Sequence, residues 1–272
     1  MSLLVGARPE WVITRFTLAS PGAPAANCGF AATFNTGVPA PEFVDPSLRV
    51  LFDDGSEQRF TSLGVPEILG DRGHRLYPEF VERLKTMPKG RLLEIGACAQ
   101  SGITRRDAAP EGWEYIGLDI LARPNVDLVG DAHSMSRILP HASFDAAMSL
   151  AVFEHLAMPW RVALELNRVL KPGAIAFIQT HQAFPMHETP WDFWRISADA
   201  WPALFNSKTG FRIIESAMAE PLMFVAQRWH PGVNYHDAAG YAVSSVIVEK
   251  IAQSTLSWDV ELDDFLGNVY PQ

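Results

Sequence analysis

Two patterns of hydrophobic and polar residues divide the chain at about residue 75. Before it, short runs of β-branched and aromatic residues alternate with turns rich in proline and glycine, which predicts short strands and loops. After it, compact apolar runs alternate with amphipathic segments, which predicts a parallel sheet covered by helices on both faces. We therefore expect a three-layer α/β/α fold with a mostly parallel seven-stranded sheet over residues 76–272. Residues 1–75 are expected to form a β-rich accessory region.

The accessory region contains a hairpin signal. Strand-like residues 48–52 and 57–60 flank Asp53-Asp54-Gly55-Ser56, and Asp-Gly supports turns that need a positive φ. Two further short strands are predicted at residues 11–18 and 29–34. The apolar strands within this region also offer a surface for a homodimer.

The second region contains two amphipathic helices and seven strand-like runs. One helix covers residues 77–85 and stops at Pro88, and another covers residues 161–170 and is closed by Lys171-Pro172-Gly173. The strands are predicted at residues 91–95, 115–119, 126–129, 144–150, 174–178, 211–214 and 242–248.

Composition excludes several classes of protein. The 272 residues are 48% hydrophobic and 19% charged, so most of the chain is not disordered. The net charge is −9 and no basic run exceeds Arg105-Arg106, which argues against a nucleic-acid partner. No apolar run approaches the roughly 20 residues of a membrane span, and no secretory signal is visible. Because only Cys28 and Cys98 are present, we expect a soluble, cytoplasmic protein.

A tight turn of small residues follows the first predicted strand of the sheet, at Gly96-Ala97-Cys98. Doubly wound sheets bind ligands beside this turn, with an acidic residue about 20 positions later on the ribose; here Asp119 is that residue. Cys98 and Ser101 stand where a dinucleotide site has glycine, which disfavours a pyrophosphate. S-adenosylmethionine carries ribose and adenine without phosphate and fits better; a strand-to-helix turn without a ligand is the alternative.

The order of motifs resembles the class I S-adenosylmethionine-dependent methyltransferases, in particular type 11-like members, over about residues 77–250. The similar segments are residues 92–96, 116–119, 130–133, 143–149, 152–156 and 167–173. The resemblance implies a Rossmann-like sheet with S-adenosylmethionine as cofactor. It implies a cofactor site made of Glu94, Gly96, Ala97, Cys98, Asp119, Ile120, Asp131, Ala132, His133 and Leu150.

Within that site, the resemblance places Glu94 and Gly96 by the methionine and sulfonium end. It places Asp119 on the ribose hydroxyls, and Asp131 with Ala132 on the adenine. For His133, a surface position at the start of a helix is the alternative.

The loop after the fifth strand, residues 180–195, is rich in His, Trp, Pro and charged residues. It lies at the sheet edge where an acceptor should bind, and it is similar to stretches in methyltransferases linked with sugar or polysaccharide assembly. His181 is the first candidate for the base that removes an acceptor proton, His187 is the second, and Asp192 orients the base or replaces it. The alternative is that His181 caps the strand and Asp192 pairs with Arg195 to brace the loop.

Four residues are candidates for binding the acceptor: Trp191, Trp194, Arg195 and His155. The alternative is a core position for the two tryptophans and a capping or buried role for His155. One further candidate is a divalent-metal set made of His181, His187, Glu188 and Asp192. Its spacing matches no zinc pattern, so no metal ligand is assigned.

The expected function is methyl transfer from S-adenosylmethionine to a hydroxyl of a glycan, a sugar-like molecule or another small molecule. One rival is an NAD-dependent oxidoreductase on a similar sheet, which the glycine pattern disfavours. The other is a methyltransferase-like module that binds partners or retains the cofactor without turnover. A collapsed cavity beside His181 would favour that module.

Overall fold

The computed structural model describes residues 2–5, 12–13, 48–51, 57–60, 72–99, 102–222 and 240–264. The chain divides into two compact units, the first made of residues 1–69 with 221–240 and the second of residues 70–220 with 241–272.

The first unit contains a four-stranded sheet. Its strands are β1 (Ser2–Val5), β2 (Val12–Ile13), β3 (Leu48–Leu51) and β4 (Glu57–Phe60). They lie in the order β2-β1-β3-β4, and each neighbouring pair is antiparallel. The hairpin prediction is confirmed, because Leu51 pairs with Glu57 across β3 and β4. Strand β1 was not predicted, and the predicted strand at residues 29–34 lies outside the described residues.

The second unit contains a seven-stranded sheet with flanking helices. The strands are β5 (Arg91–Ile95), β6 (Glu114–Asp119), β7 (Leu128–Val129), β8 (Phe144–Leu150), β9 (Leu170–His181), β10 (Phe211–Leu222) and β11 (Gly240–Lys250). The helices are α1 (Arg72–Thr86), α2 (Pro159–Val169) and α3 (Trp201–Leu204).

The strand order is β10-β11-β9-β8-β5-β6-β7. Strands β7, β6, β5, β8 and β9 are parallel to one another, whereas β11 is antiparallel to β9. This arrangement confirms the expected mostly parallel, Rossmann-like sheet. It also brings the carboxyl ends of the parallel strands to one edge, where ligands of such folds bind.

The sheet has a hydrophobic core on each face, because successive strand residues point to opposite sides. In β9, Phe177 belongs to the core beneath α1, whereas Ile178 belongs to the core beneath α2 and α3. Helix α1 contributes its i, i+4 stripe of Leu76, Phe80 and Leu84 to the first core. The sequence therefore forms three layers.

Several predicted boundaries differ from the structure. Strand β9 runs to His181, so Thr180 and His181 belong to the strand and not to the loop predicted at residues 180–195. Helix α1 begins at Arg72, five residues before the predicted start at Tyr77. Helix α2 ends at Val169, and β9 begins directly at Leu170, which pairs with Phe144 of β8. The segment expected to close the helix, residues 171–173, is thus part of the strand, where Lys171 forms an ion pair with Asp145 (2.7 Å).

Within the described ranges, no helix has both the length and the apolar character needed to cross a membrane.

Candidate active site

The turn after β5 is fixed against the end of β6. The backbone N–H groups of Gly96 and Ala97 donate to the carbonyl of Leu118 (2.8 and 3.1 Å). The next N–H, that of Cys98, donates to Oδ2 of Asp119 (2.9 Å). Three consecutive donors therefore hold the turn beside the acidic residue that ends β6.

Gly96 needs to be glycine for two reasons. Its φ of +79° lies in the left-handed region, and a Cβ built on it would lie 2.1 Å from Cγ2 of Val152. A side chain at this position would thus be strained and would also collide with the segment after β8. The backbone of the turn comes close to its neighbours only because a glycine stands here.

Glu94 is a buried carboxylate with two partners on the same side of the sheet. The hydroxyl of Tyr115 donates to it, and a guanidinium nitrogen of Arg105 lies 4.0 Å from its Oε1. Burial raises the pKa of Glu94 above its usual value, and the hydrogen bond and positive charges only partly offset this effect. The side-chain amide of Asn125 links Tyr115 to the carbonyl of Ala97 (3.2 and 2.9 Å), so the same network supports the turn.

Asp119 retains acceptor capacity. Its Oδ2 accepts from Cys98, and its Oδ1 accepts from the N–H of Leu121 (2.9 Å). An ionised carboxylate has about four lone-pair sites, so sites remain for the hydroxyls of a ribose. Next to Asp119, Ile120 is partly buried.

Asp131 follows β7 and holds His133. Its Oδ1 accepts from the backbone N–H of His133 (2.8 Å) and lies 2.7 Å from Nδ1 of that ring. The other ring nitrogen, Nε2, accepts from the N–H of Met158 (3.2 Å). His133 is 1% exposed, so the alternative that it is a surface residue is wrong. Burial opposes the charge of Asp131, but the contacts of His133 outweigh burial and lower the pKa of Asp131.

A second cluster of polar side chains lies at the neighbouring strand ends, those of β8 and β9. Glu154 is fully buried in the turn after β8, and the hydroxyl of Thr180 in β9 donates to its Oε2 (2.5 Å). Nδ1 of His181 lies 2.6 Å from its Oε1. The geometry of this contact does not meet the criteria for a hydrogen bond. Within the described ranges, neither Oε1 of Glu154 nor Nδ1 of His181 has a hydrogen-bond partner. Burial raises the pKa of Glu154, but His181 and Thr180 outweigh this effect and hold it below the usual value.

Two more histidines face this pair. The rings of His155 and His181 lie 4.8 and 5.1 Å from the ring of His187, edge to face. His181 also stacks on Phe184, with ring centres 4.1 Å apart. The structure thus brings together His181, His187 and His155 around the carboxylate of Glu154.

Asp192 and Arg195 brace the loop that carries His187. Both carboxylate oxygens of Asp192 bind the guanidinium of Arg195 (2.5 and 2.7 Å), and Oδ2 also accepts from the N–H of His187 (3.0 Å). The side chain of Asp192 is 2% exposed, and the guanidinium holds its pKa well below the usual value. These contacts support the alternative in which Asp192 braces the loop.

A family model for a methyltransferase domain matches residues 69–217, which is more than half of the chain. The chain belongs to this methyltransferase family. Membership confirms the family recognised from the motifs, with S-adenosylmethionine as the cofactor, and it disfavours the oxidoreductase. No curated protein matches the chain in a sequence search.

Solved structures of methyltransferases resemble this chain at low identity. An S-adenosylmethionine-dependent methyltransferase from Archaeoglobus fulgidus is 18% identical, with a TM-score of 0.49 over 66% of this chain and 93% of that chain. A Haloferax volcanii methyltransferase, solved in complex with the Trm112 activator, is 17% identical, with a TM-score of 0.46 over 66% and 90%. Phosphoethanolamine N-methyltransferase 2 of Haemonchus contortus, in complex with S-adenosylmethionine, is 21% identical, with a TM-score of 0.42 over 57% and 41%.

The remaining predicted residues of the methyltransferase occupy different environments. Ala97 and Ala132 are buried, and Leu150 is partly buried at the end of β8. Trp191 is 8% exposed, whereas Trp194 is 38% exposed and donates its indole N–H to the carbonyl of Leu156 (2.8 Å). The alternative that the tryptophans are core residues therefore fits Trp191 better than Trp194.

Sequence reasoning gave no role to Glu154 or Thr180, although both stood in quoted segments. A signal was present, because Glu154 follows β8 and Thr180 is the second-last residue of β9, and neighbouring parallel strands place their carboxyl ends side by side. Tyr115 and Arg105, the partners of Glu94, were also missed. Their contact depends on side-chain direction across the sheet, which sequence spacing does not reveal.

Proposed function

We propose that the methyltransferase transfers a methyl group from S-adenosylmethionine to a hydroxyl of a glycan, a sugar-like molecule or another small molecule, with His181 as the base. The contact between Glu154 and His181 carries this proposal. A buried carboxylate oxygen 2.6 Å from Nδ1 favours the tautomer that carries its proton on that nitrogen. The opposite nitrogen, Nε2, then carries the lone pair that can accept a proton from an acceptor hydroxyl.

The position of His181 supports the same role. It is the last residue of β9, which pairs with β8, and β8 pairs with β5, whose turn leads into the cofactor site. His181 and that turn therefore belong to one edge of the sheet. Methyl transfer needs the acceptor oxygen and the methyl group in line, and such positioning supplies much of the rate acceleration.

The residues at the carboxyl ends of β5, β6 and β7 suit the chemistry of the cofactor. When bound, S-adenosylmethionine supplies an electrophilic methyl group on a sulfonium cation. Gly96 lets the backbone of the turn approach the methionine end, with Glu94, Ala97 and Cys98 beside it. Asp119 and Ile120 would hold the ribose.

The adenine end of the cofactor completes the proposed site. Asp131 and Ala132 would hold the adenine with His133 behind them, and Leu150 would line the site. These residues fit the cofactor because their carboxylates can accept hydrogen bonds from the two ribose hydroxyls and attract the positive charges of the methionine end.

The acceptor would lie along the loop of residues 182–195. Phe184 is 48% exposed and stacks on His181, and Trp194 in the same loop is 38% exposed and packs on Trp160. Aromatic faces such as these pack against sugar rings. Arg195 and His155 would border the acceptor, as would the small exposed part of Trp191. An apolar wall with a base at one end suits a hydroxyl acceptor of modest size.

Domain limits and context are part of the proposal. We assign methyl transfer to residues 76–272 and an accessory role to residues 1–75. A homodimer through the accessory region and a cytoplasmic location stay predictions, and the low cysteine content supports the latter.

Two measurements test the proposed function. In a thermal-shift assay, S-adenosylmethionine or its demethylated product should stabilise the protein by about 2.7 kcal/mol at a hundredfold excess over Kd, and NAD should not. Mass spectrometry of hydroxyl-bearing sugars and glycans incubated with enzyme and cofactor should reveal the mass gain of one methyl group. Cofactor binding without transfer to any acceptor would favour the binding module, and a larger shift with NAD would overturn the assignment.

A further inference from the structure

We propose that Glu154, His155 and His187 form a binding site for a divalent transition-metal ion. One ligand atom from each of the three residues lies within 4.8 Å of the other two. This set shares only His187 with the candidate metal set in the sequence, which consists of His181, His187, Glu188 and Asp192. The site rests on these side chains alone and does not depend on the proposed acceptor.

Both histidines are held in the tautomer that carries the proton on Nδ1 and can bind a metal through Nε2. Nδ1 of His155 lies 2.9 Å from the carbonyl oxygen of Trp191, and Nδ1 of His187 lies 3.0 Å from that of Pro185. A carbonyl oxygen only accepts, so each Nδ1 carries the ring proton. Each Nε2 is therefore left with a free lone pair. Metal-bound histidines show the same arrangement, in which the second nitrogen donates to a carbonyl or carboxylate and sets the ring orientation.

Glu154 supplies the negative charge. It is 0% exposed, and its Oε1 has no aligned hydrogen bond within the part of the chain that the structure describes. A buried carboxylate oxygen in this condition is costly unless a cation or donor satisfies it. Thr180 and His181 contact the carboxylate without using all of its lone pairs, and their contacts hold it in a fixed orientation.

The backbone holds the three ligands in register. The carbonyl of Glu154 accepts the N–H groups of Phe193 and Trp194 (2.9 and 3.1 Å), which ties the loop to the turn after β8. Asp192 accepts the N–H of His187 at the other end of the loop (3.0 Å). The ligands therefore come from two hydrogen-bonded segments, the turn after β8 and the loop of residues 182–195. The site is thus largely preformed for a metal ion.

The ligand set selects the kind of metal. Two imidazoles and one carboxylate suit zinc and other divalent transition metals, whereas magnesium and calcium prefer sites made of oxygen atoms. Three protein ligands also leave coordination positions open, as in catalytic rather than structural zinc sites.

The test is direct metal binding by the full chain, freed of metal with a chelator and without cofactor or acceptor. Calorimetric titration with Zn²⁺, and with Mn²⁺ as a second probe, should show one saturable zinc site per chain. His155→Ala and His187→Ala should each lower the zinc affinity by a factor on the order of 10–100 or more. His141→Ala is the matched control, because His141 is an exposed histidine outside the cluster, and it should bind like the wild type.

Glu154→Gln tests the carboxylate, and thermal unfolding shows whether this buried substitution leaves the protein folded. If it does not fold, the two histidine variants still decide the question. No saturable zinc binding by the wild type, or unchanged affinity in either histidine variant, would overturn the site. Because no acceptor is present, these outcomes are independent of whether the proposed methyl transfer occurs.

Discussion

The backbone N–H of Cys98 donates to Oδ2 of Asp119 at 2.9 Å, so one side chain joins the turn after β5 to the end of β6. Asp119 therefore has two functions in the proposed site: it shapes the turn, and it offers its remaining lone pairs to the ribose. A substitution of Asp119 should therefore weaken cofactor binding, and this effect can be measured without any acceptor.

Asp119→Ala should weaken the binding of S-adenosylmethionine by one to two decades, because hydrogen bonds to a charged acceptor contribute about 1.5–3 kcal/mol. Calorimetry measures the change. Glu114→Gln is the matched control, since Glu114 is an exposed carboxylate on the same strand that pairs with Arg91. Unchanged affinity in folded Asp119→Ala would remove this residue from the site.

Gly96→Ala should lower the free energy of unfolding by about 2–5 kcal/mol, since it combines left-handed strain of about 1–2 kcal/mol with a collision against Val152. Gly173→Ala is the matched control. Its φ is +80°, but nothing lies within 4 Å of the added Cβ, so only the strain should remain. Urea unfolding compares the two, and equal losses would contradict the collision.

His181→Ala should lower kcat by roughly 10²–10⁴ while leaving the affinity for S-adenosylmethionine nearly unchanged, because a general base acts on the acceptor and not on the cofactor. The measurement needs the acceptor found by mass spectrometry, with kcat and KM determined separately. His141→Ala should retain wild-type turnover. Wild-type kcat in His181→Ala would remove His181 as the base, and loss of kcat in His187→Ala would then assign the base to His187.

The pair of Asp192 and Arg195 should make stability depend on pH in acid. The guanidinium lowers the pKa of Asp192 in the folded state, whereas an unfolded Asp titrates near pH 3.9. The stabilisation is therefore complete above about pH 4 and is lost as the pH falls further, towards the folded pKa. Asp192→Asn should cost about 1–3 kcal/mol at pH 7 and progressively less below pH 4.

Urea unfolding across this pH range, in a chelating buffer, checks the prediction. Glu82→Gln is the comparison, because Glu82 pairs with Lys85 on an exposed face and should cost under about 1 kcal/mol. A difference between wild type and Asp192→Asn that does not change with pH would show that the loss comes from packing and not from the charge.

Much of the sheet could be predicted from sequence because its signals are local. Apolar runs such as residues 91–95 match a strand, and the Asp-Gly signal between β3 and β4 predicted their pairing. The start of α1 was predicted too late, at Tyr77, although Leu76 lies four residues before Phe80 and belongs to the same buried stripe.

The cluster around Glu154 could not be predicted in detail because it depends on contacts between segments distant in sequence. Sequence reasoning found His155, His181 and His187 one by one from their places after strands. It could not show that Trp191 and Pro185 present carbonyls to two of the rings, because backbone direction in a loop is not encoded by residue type alone. The pairing of Asp192 with Arg195 was open to prediction, since the two residues lie three positions apart.

Strand β11 lies between β9 and β10 in the sheet although it follows both in the chain. The ribosome therefore synthesises β9 and β10 before β11, the strand that lies between them in the sheet. Until residue 250 has emerged, the edge of β9 that pairs with Val243 to Glu249 is open, and open edges of apolar strands recruit other chains. A chain that ends before Gly240 would thus expose an aggregation-prone edge of β9. A premature stop codon late in the gene would therefore cause aggregation of the whole protein and not only the loss of its last residues.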